Sequence, residues 1–315
     1  MSTHSDWVRV FRIGTRGSAL ALIQAEMVVA ALRAVQPQLA FTIERVTTEG
    51  DRDRQTSLAA LGGQGVFVRE IENALCAGQV DLAVHSLKDM PVIQPEGLVI
   101  GAVLERGDPR DALVSRFKPS LEALPPGARV GTSSSRRALQ VLAQRPDVQT
   151  ADIRGNVDTR LRKVAAGEFD AAILAMAGLV RLGRVTDMVA PLPPEIMLPA
   201  VGQGAIAVEV RAEDAEALGL VQAIDHAETR AAVTAERSFL RALGGGCHMP
   251  IAGYAVVSGG ELHLRGLVAG GPGGRSARGA ISGPCPAAEQ LGRDLAQRLL
   301  QQGCESLLVE AAAYV

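Results

Sequence analysis

The chain has 315 residues, 47% hydrophobic and 21% charged, with a formal net charge of −2. That length is more than one core usually serves, so two or three domains are expected, and the composition excludes a disordered chain. The balanced charge gives no global field for nucleic acid, and 3% aromatic residues leave little on which bases could stack.

No apolar run reaches the length of a membrane span, and the start MSTHSDWVRV has no signal-peptide hydrophobic region, so cytoplasmic residence without a membrane partner is expected. The four cysteines, Cys76, Cys247, Cys285 and Cys304, show no CxxC spacing. They read as free thiols, with no metal site. Of the 32 cationic residues three are lysines (Lys88, Lys118 and Lys163) and 29 are arginines. A GC-rich coding sequence inflates Arg and Ala alike, so position has to carry any argument from arginine.

In chain order, Val8 to Ile13 reads as a strand, followed by the turn Gly14-Thr15-Arg16-Gly17-Ser18. Ser18 is placed to cap a helix running to about Gln36. Phe41 to Thr47 alternates as a strand and leads into the charged turn 50–53. After the flexible Gly62-Gly63-Gln64-Gly65, a helix carries Phe67, Ile71, Ala74 and Leu75 on one face and stops at Gly78. Val80 to Val84 and Leu98 to Leu104 are further strands.

A second unit begins near Arg110, with strand Arg129-Val130, turn 131–134 and a helix from Ser135 to Gln144. Strand Val148 to Ile153, a helix from Val157 to Ala166, strand Ala171 to Leu174 and a short helix near Gly178 to Leu182 complete it. The Pro-rich stretch 191–199 marks a boundary, and strand Gly204 to Val210 could return to the first unit. A third unit has a long helix from Ala227 to Leu243, the loop Gly244-Gly245-Gly246-Cys247, several strands, and a helix from about Ala287 to Gln302. The βαβ rhythm of the first two units implies parallel sheets with helices on both faces.

The most informative stretch is Val80 to Pro91, an apolar strand followed at once by Lys88 and Asp89. In open α/β sheets ligands bind beyond the carboxyl ends of strands. Other polar groups recur at that place: Arg16 and Ser18; Ser134, Arg136 and Arg137; Arg154 and Arg160; Arg181. Each arginine alone reads as a solvated surface residue. Several at matching strand ends point to a ligand with many carboxylates or phosphates. Neither a GxxxxGK[ST] nor a GxGxxG pattern is present, so a nucleotide is not indicated. Cys247, after three glycines, reads as a reactive loop thiol rather than a packed one.

These motifs together resemble the hydroxymethylbilane synthase (porphobilinogen deaminase) family. The matching stretches include IGTRGSALAL (13–22), GGQGVFVREIE (62–72), VHSLKDMP (84–91), GTSSSRRALQ (131–140), IRGNVDTRL (153–161), LPAVGQGAIAVE (198–209) and GGGCHMPIAGYA (244–255), in family order along nearly the whole chain. The resemblance implies an α/β protein of three domains. Two are periplasmic-binding-protein-like lobes with mixed or parallel sheets (1–104 with 201–222, and 105–200), and the third is a smaller α+β domain (223–315). It implies a monomeric transferase of tetrapyrrole biosynthesis that joins four porphobilinogen molecules with loss of ammonia. A dipyrromethane cofactor would be held covalently by Cys247.

On this resemblance Asp89 and Lys88 are catalytic and, with Ser134, Arg136 and Arg137, contact the cofactor. Arg16, Ser18, Arg154, Arg160, Arg181 and Gln203 bind substrate, and Asp51, Gln64 and Phe67 belong to a lid. Two positions depart from the family pattern, with Gln64 where Lys is usual and His248 where Gln is frequent. The rival readings are a non-catalytic two-lobed binding protein for a polycarboxylate and a phosphate-binding transferase.

Overall fold

The computed structural model describes residues 9–48, 68–246, 249–271 and 275–312. Three sheets organise them. The first has the order β2-β1-β3-β10-β4, built from β1 (Val10–Arg16), β2 (Ala40–Val46), β3 (Leu82–Ser86), β4 (Leu98–Val103) and the distant β10 (Ile206–Arg211). β1 runs parallel to β2 and β3, while β10 is antiparallel to both β3 and β4. Helix α1 (Ala19–Val35) starts at Ser18, whose hydroxyl accepts the Ala21 N–H, and packs Ala25, Val28 and Leu32 on one face. Helix α2 (Arg69–Cys76) covers the other face through Ile71 and Leu75.

The second sheet has the order β7-β6-β8-β5-β9. It comprises β5 (Asp111–Ser115), β6 (Arg129–Gly131), β7 (Gln149–Ala151), β8 (Ala171–Ala175) and β9 (Val189–Pro191), with α3 (Ser135–Gln144), α4 (Val157–Ala165) and α5 (Met176–Arg181) between them. β6 is parallel to β7 and β8, and β5 is antiparallel to β8 and β9. Both large sheets are therefore mixed, because one chain segment returns through each of them.

The third sheet is the antiparallel meander β11 (Ile251–Ser258), β12 (Glu261–Ala269) and β13 (Ser276–Pro284). Helices α7 (Ala227–Ala242) and α8 (Ala288–Gln301) close its core around Phe239, Leu264, Leu295 and Leu299. Helix α6 (Ala215–Gln222) covers the first sheet, and α9 (Cys304–Ala312) ends the described chain.

Four expectations need correction. β1 continues through Arg16, so the turn is confined to Gly17-Ser18. β10 and β5 run antiparallel to their neighbours, so the two large sheets are mixed and not parallel as the βαβ rhythm implied, and Lys88 and Asp89 lie in a 3-10 turn, Leu87–Asp89. β9 occupies the start of the Pro-rich boundary and pairs with β5, since Pro191 sits on an edge strand where its missing N–H is harmless. The helix α9 lies beyond the last one expected. Among the described residues no helix is long and apolar enough to cross a membrane.

Candidate active site

The carboxyl ends of β1 and β3, the amino ends of α3 and α4 and the last turn of α5 place the polar motifs around one cleft. α1 and α5 meet at its edge, with Leu20 beside Gly178. On the first-sheet side, Arg16, Ser18, Gln24, Ser86 and Asp89 line a cavity of about 60 Å³. Gln24 and Ser86 bind each other there, at 2.8 and 3.1 Å.

The 3-10 turn that carries Lys88 and Asp89 is anchored from below. Leu87 and Met90 are buried, and the Leu87 N–H donates to the Ala205 carbonyl at 3.1 Å. Gly202, at φ +71°, lets the crossing chain lie against Leu87: a Cβ there would meet Leu87 Cγ at 3.0 Å. Gly204, at φ +89°, is tighter still, with a would-be Cβ 2.6 Å from the Gly107 carbonyl oxygen.

On the second-sheet side the organising residue is Asp111, the first residue of β5 and fully buried. Arg136 Nη1 lies 2.7 Å from its Oδ2, and Arg137 donates to Oδ1 from Nε at 2.9 Å and Nη2 at 2.7 Å. Burial alone would raise the Asp111 carboxyl. The two guanidiniums outweigh it and hold the group far below the usual carboxylate range. Gln203 then joins the two sides. Its Nε2 donates to Asp111 and to the Pro109 carbonyl, and its Oε1 receives Arg137 at 3.4 Å and Lys88 at 3.5 Å.

Lys88 keeps some surface on the cleft but is densely surrounded. Burial, and then the charge of Arg137, brings its ammonium down to about 8. Arg160 is lowered to about 10 by burial and by Arg137, with Asp89 acting in the opposite sense, so these charges share one neighbourhood. Arg160 Nε rests on the Gly155 carbonyl at 2.8 Å, Arg154 Nε on Asp152 at 2.8 Å, and Arg181 Nη2 on the Gly204 carbonyl at 2.7 Å. Ser134 precedes α3 without a side-chain cap bond.

The structure thus gathers Arg16, Ser18, Lys88, Asp89, Ser134, Arg136, Arg137, Arg154, Arg160, Arg181 and Gln203 about the cleft. Cys247, Asp51, Gln64, Phe67 and His248 lie outside the described residues.

Two residues that matter here escaped the sequence reading. Asp111 is one. The other is Glu236 of α7, fully buried and bound to Arg106 at 2.6 and 3.2 Å, to the Gly202 N–H at 2.7 Å and to the Ala255 N–H at 2.8 Å. Arg106 in turn donates to the Gln203 carbonyl at 2.9 Å. The third unit therefore braces the crossing that carries Gln203.

Comparison with known proteins finds relatives along nearly the whole chain. The family model described as porphobilinogen deaminase, dipyrromethane cofactor binding domain, matches residues 11–219, and that for the C-terminal domain matches residues 230–301. The porphobilinogen deaminase of Brevibacillus brevis is 49% identical over 301 residues, covering 95% of this chain and 97% of the relative. That of Syntrophobacter fumaroxidans is 49% identical over 302 residues, covering 96% and 98%. Among solved structures, the methionine-binding protein MetQ aligns at 14% identity and TM-score 0.43, over 68% of this chain and 89% of that one. Full-length relatives and both family models give one result: the chain belongs to the porphobilinogen deaminase family.

Proposed function

We propose that the chain condenses four porphobilinogen molecules head to tail on its cofactor, one ammonia leaving at each addition, and that water then cleaves the link to the cofactor and releases the linear tetrapyrrole hydroxymethylbilane. The observation that carries this reading is the charge of the cleft. Among the described residues, Lys88, Arg136, Arg137, Arg154 and Arg160 share this neighbourhood with three carboxylates, Asp89, Asp111 and Asp152, so cations outnumber anions. A buried surplus of cations is costly unless an anion completes it. Each pyrrole of the substrate brings an acetate and a propionate, so a growing chain supplies the missing charge.

The same surplus fits a dipyrromethane, itself a polycarboxylate, which Cys247 would hold through a thioether. When bound, that group supplies the ring carbon to which the first substrate is joined. Arg136 and Arg137, fixed by Asp111, are oriented before any ligand arrives, and Arg16 and Arg154 stand farther out to take substrate carboxylates. Asp89 borders the cavity with Arg16 and Ser18. There its carboxylate opposes the positive charge left on the substrate methylene as ammonia departs, and it accepts the ring proton displaced by the new carbon–carbon bond. Gln203 holds Lys88 and Arg137 at a common oxygen, so both sides of the cleft present charge to the same ligand.

The three sheets support a division into 1–104 with 201–222, 105–200 and 223–315, and we infer that the enzyme works as a monomer in the cytoplasm. The direct test incubates purified protein with porphobilinogen and follows ammonia release and tetrapyrrole absorbance after oxidation. Ammonia and tetrapyrrole should appear in a 4:1 ratio, and absence of both would overturn the proposal.

The arginines should divide by stage. Arg136→Leu and Arg137→Leu should purify with little cofactor. Arg16→Leu and Arg154→Leu should carry it but elongate poorly, with a loss of about 2–5 kcal/mol for a desolvated charge pair. Mass spectrometry of each variant after substrate addition decides this. A cofactor-free Arg154→Leu beside normally loaded Arg136→Leu and Arg137→Leu would contradict it.

A further inference from the structure

Beneath the cavity, on the face of the first sheet covered by α2, lies a group of ionisable side chains that the reaction scheme leaves unused. His85 of β3, Glu209 of β10 and Glu72 of α2 are 4%, 0% and 6% exposed. Antiparallel pairing sets Ala207 opposite His85 and Glu209 opposite Ala83, which makes Glu209 and His85 diagonal neighbours on one face. His85 Nε2 stands 3.4 Å from Glu209 Oε2. Beyond that contact, His85 Nε2, both Glu209 oxygens and Glu72 Oε1 are buried without a hydrogen-bond partner in the structure.

Carboxylates buried with no donor are among the least tolerable groups in a core, and they persist where a proton is shared among them. Burial first, and then the charge of Glu209, pushes the Glu72 carboxyl up to about 6, against the opposing pull of His85 and Arg69. The other ionisable groups near the unit are Arg69 on α2, and Arg16 at the end of β1 and Asp89 after β3, which line the same cavity as His85. α1 contributes the neutral Gln24. His85 also borders the cavity lined by Arg16, Ser86 and Asp89.

We propose that Glu72, His85 and Glu209 form one proton-sharing unit under the substrate cavity, in which His85 is a positioning residue for the strand end that presents Ser86 and Asp89. With Glu72 ionised, the His85 Nε2–H is held on Glu209 and the strand end is fixed. A proton on Glu72 gives it an O–H donor of its own. That donor competes for the Glu209 oxygens and releases the imidazole, three residues before Lys88 and four before Asp89. Turnover should therefore fall as pH drops through about 6, while KM stays constant.

Stability should move the opposite way. A carboxyl whose folded pKa lies above its unfolded value adds stability that is fully present below the unfolded pKa and is lost as pH rises through the folded one. The inference rests on the proposed reaction, and tetrapyrrole formation by the wild-type enzyme tests that reaction separately.

The experiment measures kcat and KM from pH 5 to 8 on holoenzyme whose cofactor content is verified by intact mass, with melting temperature over the same range. Glu72→Leu, which carries neither charge nor donor, should lose the acid limb and keep turnover. Glu72→Gln, a permanent donor, should be slow at every pH with KM unchanged. Should the Leu variant fail to fold, Glu209→Gln removes the charge that raises Glu72 and should move the limb to lower pH. A wild-type profile without an acid limb near 6, or variants that keep the wild-type midpoint, would overturn the proposal.

Discussion

Asp89→Asn is expected to lower turnover about a hundredfold or more while fold and cofactor content stay near wild type. The substitution preserves shape at the end of the 3-10 turn, so the anchors Leu87 and Met90 and the Gly202 approach are undisturbed. On the proposed mechanism it removes the negative charge opposite the departing ammonia and the acceptor for the ring proton. Both contributions belong to the transition state, so kcat should fall far more than KM rises. Steady-state kinetics on variant holoenzyme decides the matter, and turnover within a few-fold of wild type would mean that another group does this work.

The second large effect falls on Asp111, which touches no substrate in this account. Asp111→Ala strands two buried guanidiniums and one amide of Gln203. Removing one partner of a buried ion pair costs about 3–5 kcal/mol, because the remaining charge stays buried. The variant should unfold at markedly lower denaturant and load cofactor poorly, since Arg136 and Arg137 lose the carboxylate that aims them. Asp111→Asn should lie between, retaining hydrogen bonds without the charge. The wild type should also lose stability as pH falls below the usual carboxylate range, where Asp111 takes up a proton that its folded environment resists. Denaturation at neutral and acid pH with cofactor content by mass checks all three, and an Asp111→Ala variant as stable as wild type would contradict the assigned role.

What the sequence made legible follows from where local signals were strong. Helix α3 was placed residue for residue, and Ser18 caps α1 as its hydroxyl and position suggested. Most of the arginines were found because they lie beside a turn rich in Gly, Ser or Asn between a strand and a helix: Arg16 ends β1 before Gly17-Ser18, Arg136 and Arg137 open α3, and Arg154 and Arg160 flank Gly155-Asn156. β5 was missed as a strand because Asp111–Ser115 is buried on both faces and so has no alternation to read.

Glu236 and Glu209 are acidic residues inside otherwise apolar patterns, and Asp111 opens the apolar run Ala112-Leu113-Val114. Ala232, Ala235 and Phe239 flank Glu236 on the buried side of α7, and Val208 and Val210 flank Glu209 in β10. Such a residue is either an error in the pattern or the partner of a distant cation. Only the folded chain shows that Asp111 and Glu236 found arginines and that Glu209 found a histidine.

The central claim is that this cleft holds a covalent dipyrromethane on Cys247 and extends it, and intact-mass analysis of the purified wild-type protein tests that claim most directly. The account predicts a mass above that of the sequence by two pyrrole units and a colour with Ehrlich reagent. Both should be lost in Cys247→Ser and kept in Cys76→Ser. A fully active wild-type enzyme at its bare sequence mass would contradict it.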